Sequence, residues 1–143
     1  MSTTSLLLLL VAVCSTTTLA QFTAGPSIPT LSTCTNGQIW VQNYIQFQCQ
    51  VSGTSRAVVP IACVPSNTTN GTTIAPGTAY DDTNFRYTCN QTSASTMAYY
   101  AVACFDGDRR LFQVGQMSNS SNGYTYSCYL SGSQVQLSKT LFL

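Results

Sequence analysis

The side chains able to do chemistry in this 143-residue chain are few: four carboxylates, five basic groups, seven cysteines and eight tyrosines, with no histidine. Without histidine there is no Ser-His-Asp triad, no Cys-His pair and no imidazole to hold a metal. The carboxylates are Asp81, Asp82, Asp106 and Asp108. A paired acid/base role needs sheltered carboxyls with separated pKa values, whereas Asp81-Asp82 stands in "YDDTN", the composition of an exposed turn. Asp106 and Asp108 stand in "DGDRR". Two carboxylates fall short of the six to eight oxygens that Ca²⁺ gathers, so the stretch reads as a hairpin tip whose charges keep it soluble and its edges unpaired. Arg109-Arg110 makes that tip a candidate protease-sensitive pair or, in a competing reading, the reactive loop of a protease inhibitor. No enzyme, cofactor or metal site is expected. These arginines are the one adjacent pair of cations, too few to grip a phosphate backbone, so nucleic acid is not an expected partner.

The cysteines carry more information. Leu6 to Val13 is an unbroken apolar run, too short for a bilayer span of about 20 residues. It is followed by "STTTLA", with Thr18 and Ala20 small enough to precede a cleavage point. Residues 1–20 are therefore expected to be a signal peptide, leaving no membrane-inserted segment and a mature chain that begins at Gln21. Its removal takes Cys14 and leaves Cys34, Cys49, Cys63, Cys89, Cys104 and Cys128. An even set behind a signal peptide reads as disulfides made in an oxidising compartment. Cysteines so committed are not nucleophiles. Sequons at Asn67, Asn70, Asn90 and Asn119 add the expectation of a glycoprotein.

The elements that position these cysteines repeat. "YIQFQC", "FRYTC" and "YTYSC" place Ile45-Phe47-Cys49, Phe85-Tyr87-Cys89 and Tyr124-Tyr126-Cys128 at period two, the alternation of a strand. Gln46, Arg86 and Thr125 fall on the opposite face. Small turn-forming residues follow each cysteine in "CQVSGT", "CNQTSA" and "CYLSGS". Second apolar runs come next: Val59-Ile61-Cys63, Tyr100-Val102-Cys104 and Val135-Leu137. Cys49 and Cys89 are 40 residues apart and Cys89 and Cys128 are 39, the signature of a repeated unit. No segment has a helical period with caps. The expected fold is all-β: tandem small antiparallel modules stapled by disulfides, with an extended arm over 21–33, a first copy over 34–63, a second over 63–104 and a third over 104–143.

A repeat favours the pairing that treats its copies alike: Cys34–Cys49, Cys63–Cys89 and Cys104–Cys128. Spacing alone leaves two other schemes open. One joins Cys49 to Cys63 and Cys89 to Cys104, leaving Cys34 for Cys128; a crossed scheme joins Cys34 to Cys63 and Cys49 to Cys89. Aromatic residues in phase with the cysteines are expected to fill thin cores. The out-of-phase Tyr44, Tyr99 and Tyr129 are expected to point outward and form one adhesive strip, since tyrosine is enriched at interfaces.

The run "NGQIWVQNYIQFQCQVSG…VVPIACV…NGTTIAPGTAYDDTNFRYTC" resembles the fibronectin type I-like repeats of nematode secreted proteins, the abnormal cell migration protein 18-like family. Trp40, Phe47, Cys49, Cys63, Gly71, Ile74, Gly77, Tyr87 and Cys89 sit where that pattern asks. The likeness covers residues 34–104 well and 104–143 more loosely; Ala62 replaces the commoner glycine, and the segment between Cys34 and Trp40 is short for the pattern. The resemblance implies a secreted, non-enzymatic protein of the extracellular matrix or basement membrane, with matrix or cell-surface partners and an influence on adhesion or migration.

Overall fold

The computed structural model describes residues 30–142. The signal-peptide reading of 1–20 and most of the arm reading of 21–33 lie outside the described residues. Ten strands follow in order: β1 (Ile39–Gln42), β2 (Ile45–Ser52), β3 (Ser55–Cys63), β4 (Ala79–Asp81), β5 (Phe85–Ser93), β6 (Thr96–Phe105), β7 (Leu111–Gln113), β8 (Met117–Asn119), β9 (Tyr124–Ser131) and β10 (Gln134–Leu141). They form three antiparallel sheets, ordered β1-β2-β3, β4-β5-β6-β7 and β10-β9-β8. The fold is all-β, as the alternation and turn residues predict.

Each of the three ladder cysteines sits in the same hydrogen-bond set. The N–H of Gly37, Gly77 and Gly115 donates to the carbonyl of Cys49, Cys89 and Cys128 at 2.8, 2.7 and 2.7 Å. The cysteine N–H groups donate back to Gln38, Thr78 and Gln116 at 2.8, 3.1 and 3.1 Å. The three glycines take φ of 80°, 82° and 87°, a left-handed turn that a side chain would strain. Each ladder strand then turns back through a tight hairpin, with Ser52 paired to Ser55, Ser93 to Thr96 and Ser131 to Gln134.

Two of the disulfides run between sheets. Cys63 at the end of β3 is bonded to Cys89 in β5, and Cys104 near the end of β6 to Cys128 in β9; Cys34, just before β1, is bonded to Cys49 in β2. All six are essentially inaccessible to solvent. Around Cys63 and Cys89 pack Ile45 and Ile74, with Phe47, Tyr80, Met97 and Tyr99 partly buried against them. Around Cys104 and Cys128 pack Phe112 and Tyr126, flanked by Phe85, Val114, Tyr124, Val135 and Leu137. The core is thus two small clusters, one at each junction of consecutive sheets and each centred on a bridge. Burial of so few apolar groups stabilises weakly, and small β units of this kind need covalent staples.

Three sequence expectations change. Residues 30–33 are a turn rather than an extended arm: Cys34 N donates to Thr30 O at 3.1 Å, and the Arg56 guanidinium holds the Ser32 carbonyl. Gln46 is buried rather than on a wet face. Strand phase also shifts. In β3, Phe47 pairs with Pro60 and Gln46 with Ala62, leaving Ile61 as an extra residue; in β6, Tyr87 pairs with Ala101 and Arg86 with Ala103, leaving Val102 extra. A one-residue bulge exchanges the faces of everything beyond it. Tyr99, opposite Cys89, therefore turns to the cysteine face, and Tyr100 is left exposed.

Candidate functional site

The phase shift in β6 builds a cleft that alternation does not predict. Tyr99 stacks on Tyr87 with ring centroids 4.9 Å apart and planes 11° from parallel. On its other side it meets Tyr44 at 5.8 Å and 32°. Tyr44, Tyr80, Tyr87 and Tyr99, with Pro65, Ser66 and Asp82, line a cavity of about 480 Å³ where the first two sheets meet. Tyr44 is not a strand residue but half of the β1–β2 turn, where Asn43 and Tyr44 have φ of 51° and 65°. Two positive φ values make the mirror-image turn that suits a two-residue hairpin. A bulky residue takes that conformation rarely and at a cost. Here it is held by the loop below: Tyr44 N donates to Asn67 Oδ1 at 2.6 Å, and Val64 N donates to Tyr44 O at 2.8 Å.

Asp82 brings the cleft its one carboxylate. Its Oδ1 accepts the N–H groups of Asn84 at 2.7 Å and Phe85 at 2.6 Å, which fixes the turn into β5. The neighbouring Asp81 faces elsewhere, gripped by Arg86 through two bonds of 2.7 Å; those bonds hold its carboxyl below the ordinary value despite some desolvation. Burial, and then the Asp82 charge, push the Tyr87 phenol up to about 12. Burial and the Tyr87 and Tyr80 neighbours push Tyr99 up as well. Both phenols stay neutral near pH 7, so neither serves as a base there. The cleft offers aromatic faces, hydroxyls and one negative charge, which is the equipment of a binding site.

The outward strip therefore needs correcting. Tyr44 is exposed and joins Tyr99, but Tyr99 is half-buried. Tyr129 is exposed on β9 in the third sheet and is not part of this cleft. Tyr80, Tyr87 and Asp82 are the residues that sequence reasoning missed.

The "DGDRR" tip is also not free. Asp106, buried, accepts the N–H groups of Asp108 and Arg110 at 2.9 Å, Arg110 Nε at 3.0 Å and Ser118 Oγ at 2.6 Å. Burial works against its charge, but the Ser118 hydroxyl, the two N–H groups and Arg110 together hold its carboxyl below the ordinary value. Arg110 also reaches Asp108 and the Asn119 carbonyl. Arg109 donates to the carbonyls of Asp82 and Thr83 at 2.6 and 2.8 Å and lies 4.5 Å over the Phe105 ring. Both guanidiniums make contacts inside the chain, although both residues remain exposed, the Arg110 side chain by 57%. Among the described residues, no group of three or more His, Cys, Asp or Glu is placed to hold a metal ion, and no helix is long and apolar enough to cross a membrane. Asn67, Asn70, Asn90 and Asn119 are all exposed.

Comparison with known proteins fits this architecture. The fibronectin type I domain model matches residues 67–136, from the loop ahead of β4 to the start of β10. An uncharacterized protein of Caenorhabditis elegans, B0280.7, is 30% identical over 86 residues, which are 59% of this chain and 25% of the relative. The chain thus spans about a quarter of the curated relative it matches. No solved structure matches. These findings define a chain with a disulfide-bonded, all-β region similar to the fibronectin type I domain.

Proposed function

We propose that this is a secreted, glycosylated, non-catalytic binding protein of the extracellular matrix, acting in adhesion or cell migration through the tyrosine cleft between its first two sheets. The observation that carries this reading is the cleft itself: four tyrosines converge with one carboxylate and no acid/base partner. Residues 1–20 act as the signal peptide, and Asn67, Asn70, Asn90 and Asn119 are the glycan acceptors. The threefold hydrogen-bond set around Cys49, Cys89 and Cys128 supports successive modules over 34–63, 63–104 and 104–143. The matrix assignment draws on the resemblance to the abnormal cell migration protein 18-like family and on the fibronectin type I match.

Retention of the oxidised, glycosylated protein on immobilised basement-membrane extract tests the proposal. Retention that Tyr44→Ser abolishes, with an unchanged thermal melt, supports it. Retention that is absent, or indifferent to Tyr44→Ser, refutes the cleft as the contact site.

A further inference from the structure

The cleft has a carboxylate that is hydrogen-bonded, by the Asn84 and Phe85 N–H groups and the Tyr87 phenol, but not ion-paired among the described residues. Three of the four carboxylates are ion-paired: Asp81 with Arg86, and Asp106 and Asp108 with Arg110. Asp82, which lines the cleft, forms no ion pair among the described residues. The chain's own cations are occupied elsewhere. Arg56 holds Ser32, Lys139 lies 5.1 Å over Tyr124, and Arg86 and Arg110 hold the other carboxylates. Arg109 approaches Asp82 only at its backbone carbonyl, from an adjacent depression outside the tyrosine cleft. A carboxylate beside aromatic faces is a cation site in waiting, because the π faces are also negative.

The ring arrangement selects among cations. A spherical quaternary ammonium is held best by rings set around it as a box. Tyr87 and Tyr99 instead stack nearly parallel at 11°, and Tyr44 is tilted 32° against Tyr99, so the rings line one side of the cleft. The outer ring, Tyr44, is 46% exposed and is fixed in place by its left-handed turn. A flat cation extends such a stack, and a guanidinium is flat, weakly hydrated and able to bond a carboxylate while stacking. A cavity of about 480 Å³ also exceeds one guanidinium group and leaves room for neighbouring residues of an extended chain.

We propose that the cleft binds an arginine side chain of an extended segment in a partner protein, the guanidinium packed against the tyrosine rings and bonded to Asp82. This rests on the cleft being the binding site and names its ligand class. The Asn67 side chain, which pins the Tyr44 turn from the opposite strand connection, is a positioning residue for the stack.

The test is a titration of the full oxidised chain, with isotope-labelled tyrosine rings, against end-capped Ser-Ala-Arg-Ala-Ser and its citrulline counterpart, which is flat but neutral. The arginine peptide is expected to shift the rings of Tyr44, Tyr87 and Tyr99 saturably. The citrulline peptide should bind about tenfold more weakly, the worth of a hydrogen bond to a charged group. Asp82→Asn keeps the Oδ1 acceptor for Asn84 and Phe85 and should weaken the arginine peptide about tenfold by the same reasoning. Lys139→Gln, remote from the cleft, should change nothing. Equal binding of the two peptides, no saturable shift, or a preference for choline over the arginine peptide each overturns the proposal. Should Asp82→Asn fail to fold, the arginine–citrulline comparison on the unaltered chain still decides. A failed peptide titration alongside matrix retention that Tyr44→Ser abolishes would sink the ligand class and leave the cleft standing as the contact site.

Discussion

Replacing Cys63 and Cys89 together by alanine should cost more than the loss of the Cys34–Cys49 bridge. The bond closes a loop of 26 residues, and denatured-state chain entropy over that length is worth about 3.5 kcal/mol at 25 °C. The sulfurs are also the centre of the first core cluster, packed among Ile45 and Ile74, with the Met97 thioether 3.6 Å from Cys89. Losing two buried methylene-sized atoms adds roughly 0.8 kcal/mol each. The total, about 5 kcal/mol, approaches the whole stability of many small domains, about 5–15 kcal/mol. The Cys34–Cys49 bridge closes only 15 residues and lies outside both clusters, so its removal should cost about 3 kcal/mol. Urea denaturation of the paired alanine variants, followed by tyrosine fluorescence, measures both. A loss for Cys63–Cys89 under about 1 kcal/mol, or smaller than that for Cys34–Cys49, would refute the view that this bridge holds the first two sheets together.

Other outcomes follow from the charged and phenolic groups. Asp106 has a folded pKa below its unfolded one, so its contribution is complete above the unfolded value near 4 and is lost as pH falls through the folded one. Thermal melts between pH 2 and 7 should show that acid limb. Asp106→Asn should flatten it and cost about 1–3 kcal/mol at pH 7, because an amide has one acceptor oxygen and cannot serve both the N–H pair at Oδ1 and the Ser118 and Arg110 donors at Oδ2. Tyr87 runs the other way: its raised pKa favours the neutral phenol in the fold, so its contribution is complete below the ordinary tyrosine value of about 10 and fades as pH climbs toward about 12. Absorbance at the tyrosinate band should show late-titrating phenols, one of which Tyr87→Phe removes. Trypsin should cleave after Arg109 or Arg110 slowly in the native chain and faster in Asp106→Asn, with no stoichiometric inhibition of the protease in either; a tight one-to-one complex would restore the inhibitor reading.

The ladders were legible because a half-buried strand must alternate, and the cysteine at the end of each apolar row marks the covered face. Tyr124, Tyr126 and Cys128 share one cluster and Ile45 and Phe47 share the other, whereas Phe85 packs in the second cluster and Cys89 in the first. The partner strands were harder to read, because a bulge adds one residue without any compositional mark. Ile61 and Val102 are ordinary strand residues, yet each exchanges the faces of what precedes it. That slip turned Tyr99 from an outward residue into the middle of the stack. Tyr44 was misplaced for a different reason: two positive φ values at Asn43 and Tyr44 form a turn that lacks the usual glycine. Asp82 was legible only in part. An aspartate two residues before Asn84 announces a side-chain-to-backbone turn, but not that the carboxylate also faces tyrosines from another sheet. The "DGDRR" tip is exposed from Gly107 to Arg110, as its charge suggests; Asp106 alone is buried, its carboxylate satisfied by Ser118 and the N–H groups of its own turn.

Peptide mapping of the purified, unreduced protein addresses the central point, that sulfur bridges between consecutive sheets build the two cores and the cleft at their first junction. The expected fragments are cross-linked pairs containing Cys34 with Cys49, Cys63 with Cys89 and Cys104 with Cys128. Fragments joining Cys49 to Cys63, or free thiols at Cys63 and Cys89 in the folded protein, would contradict it.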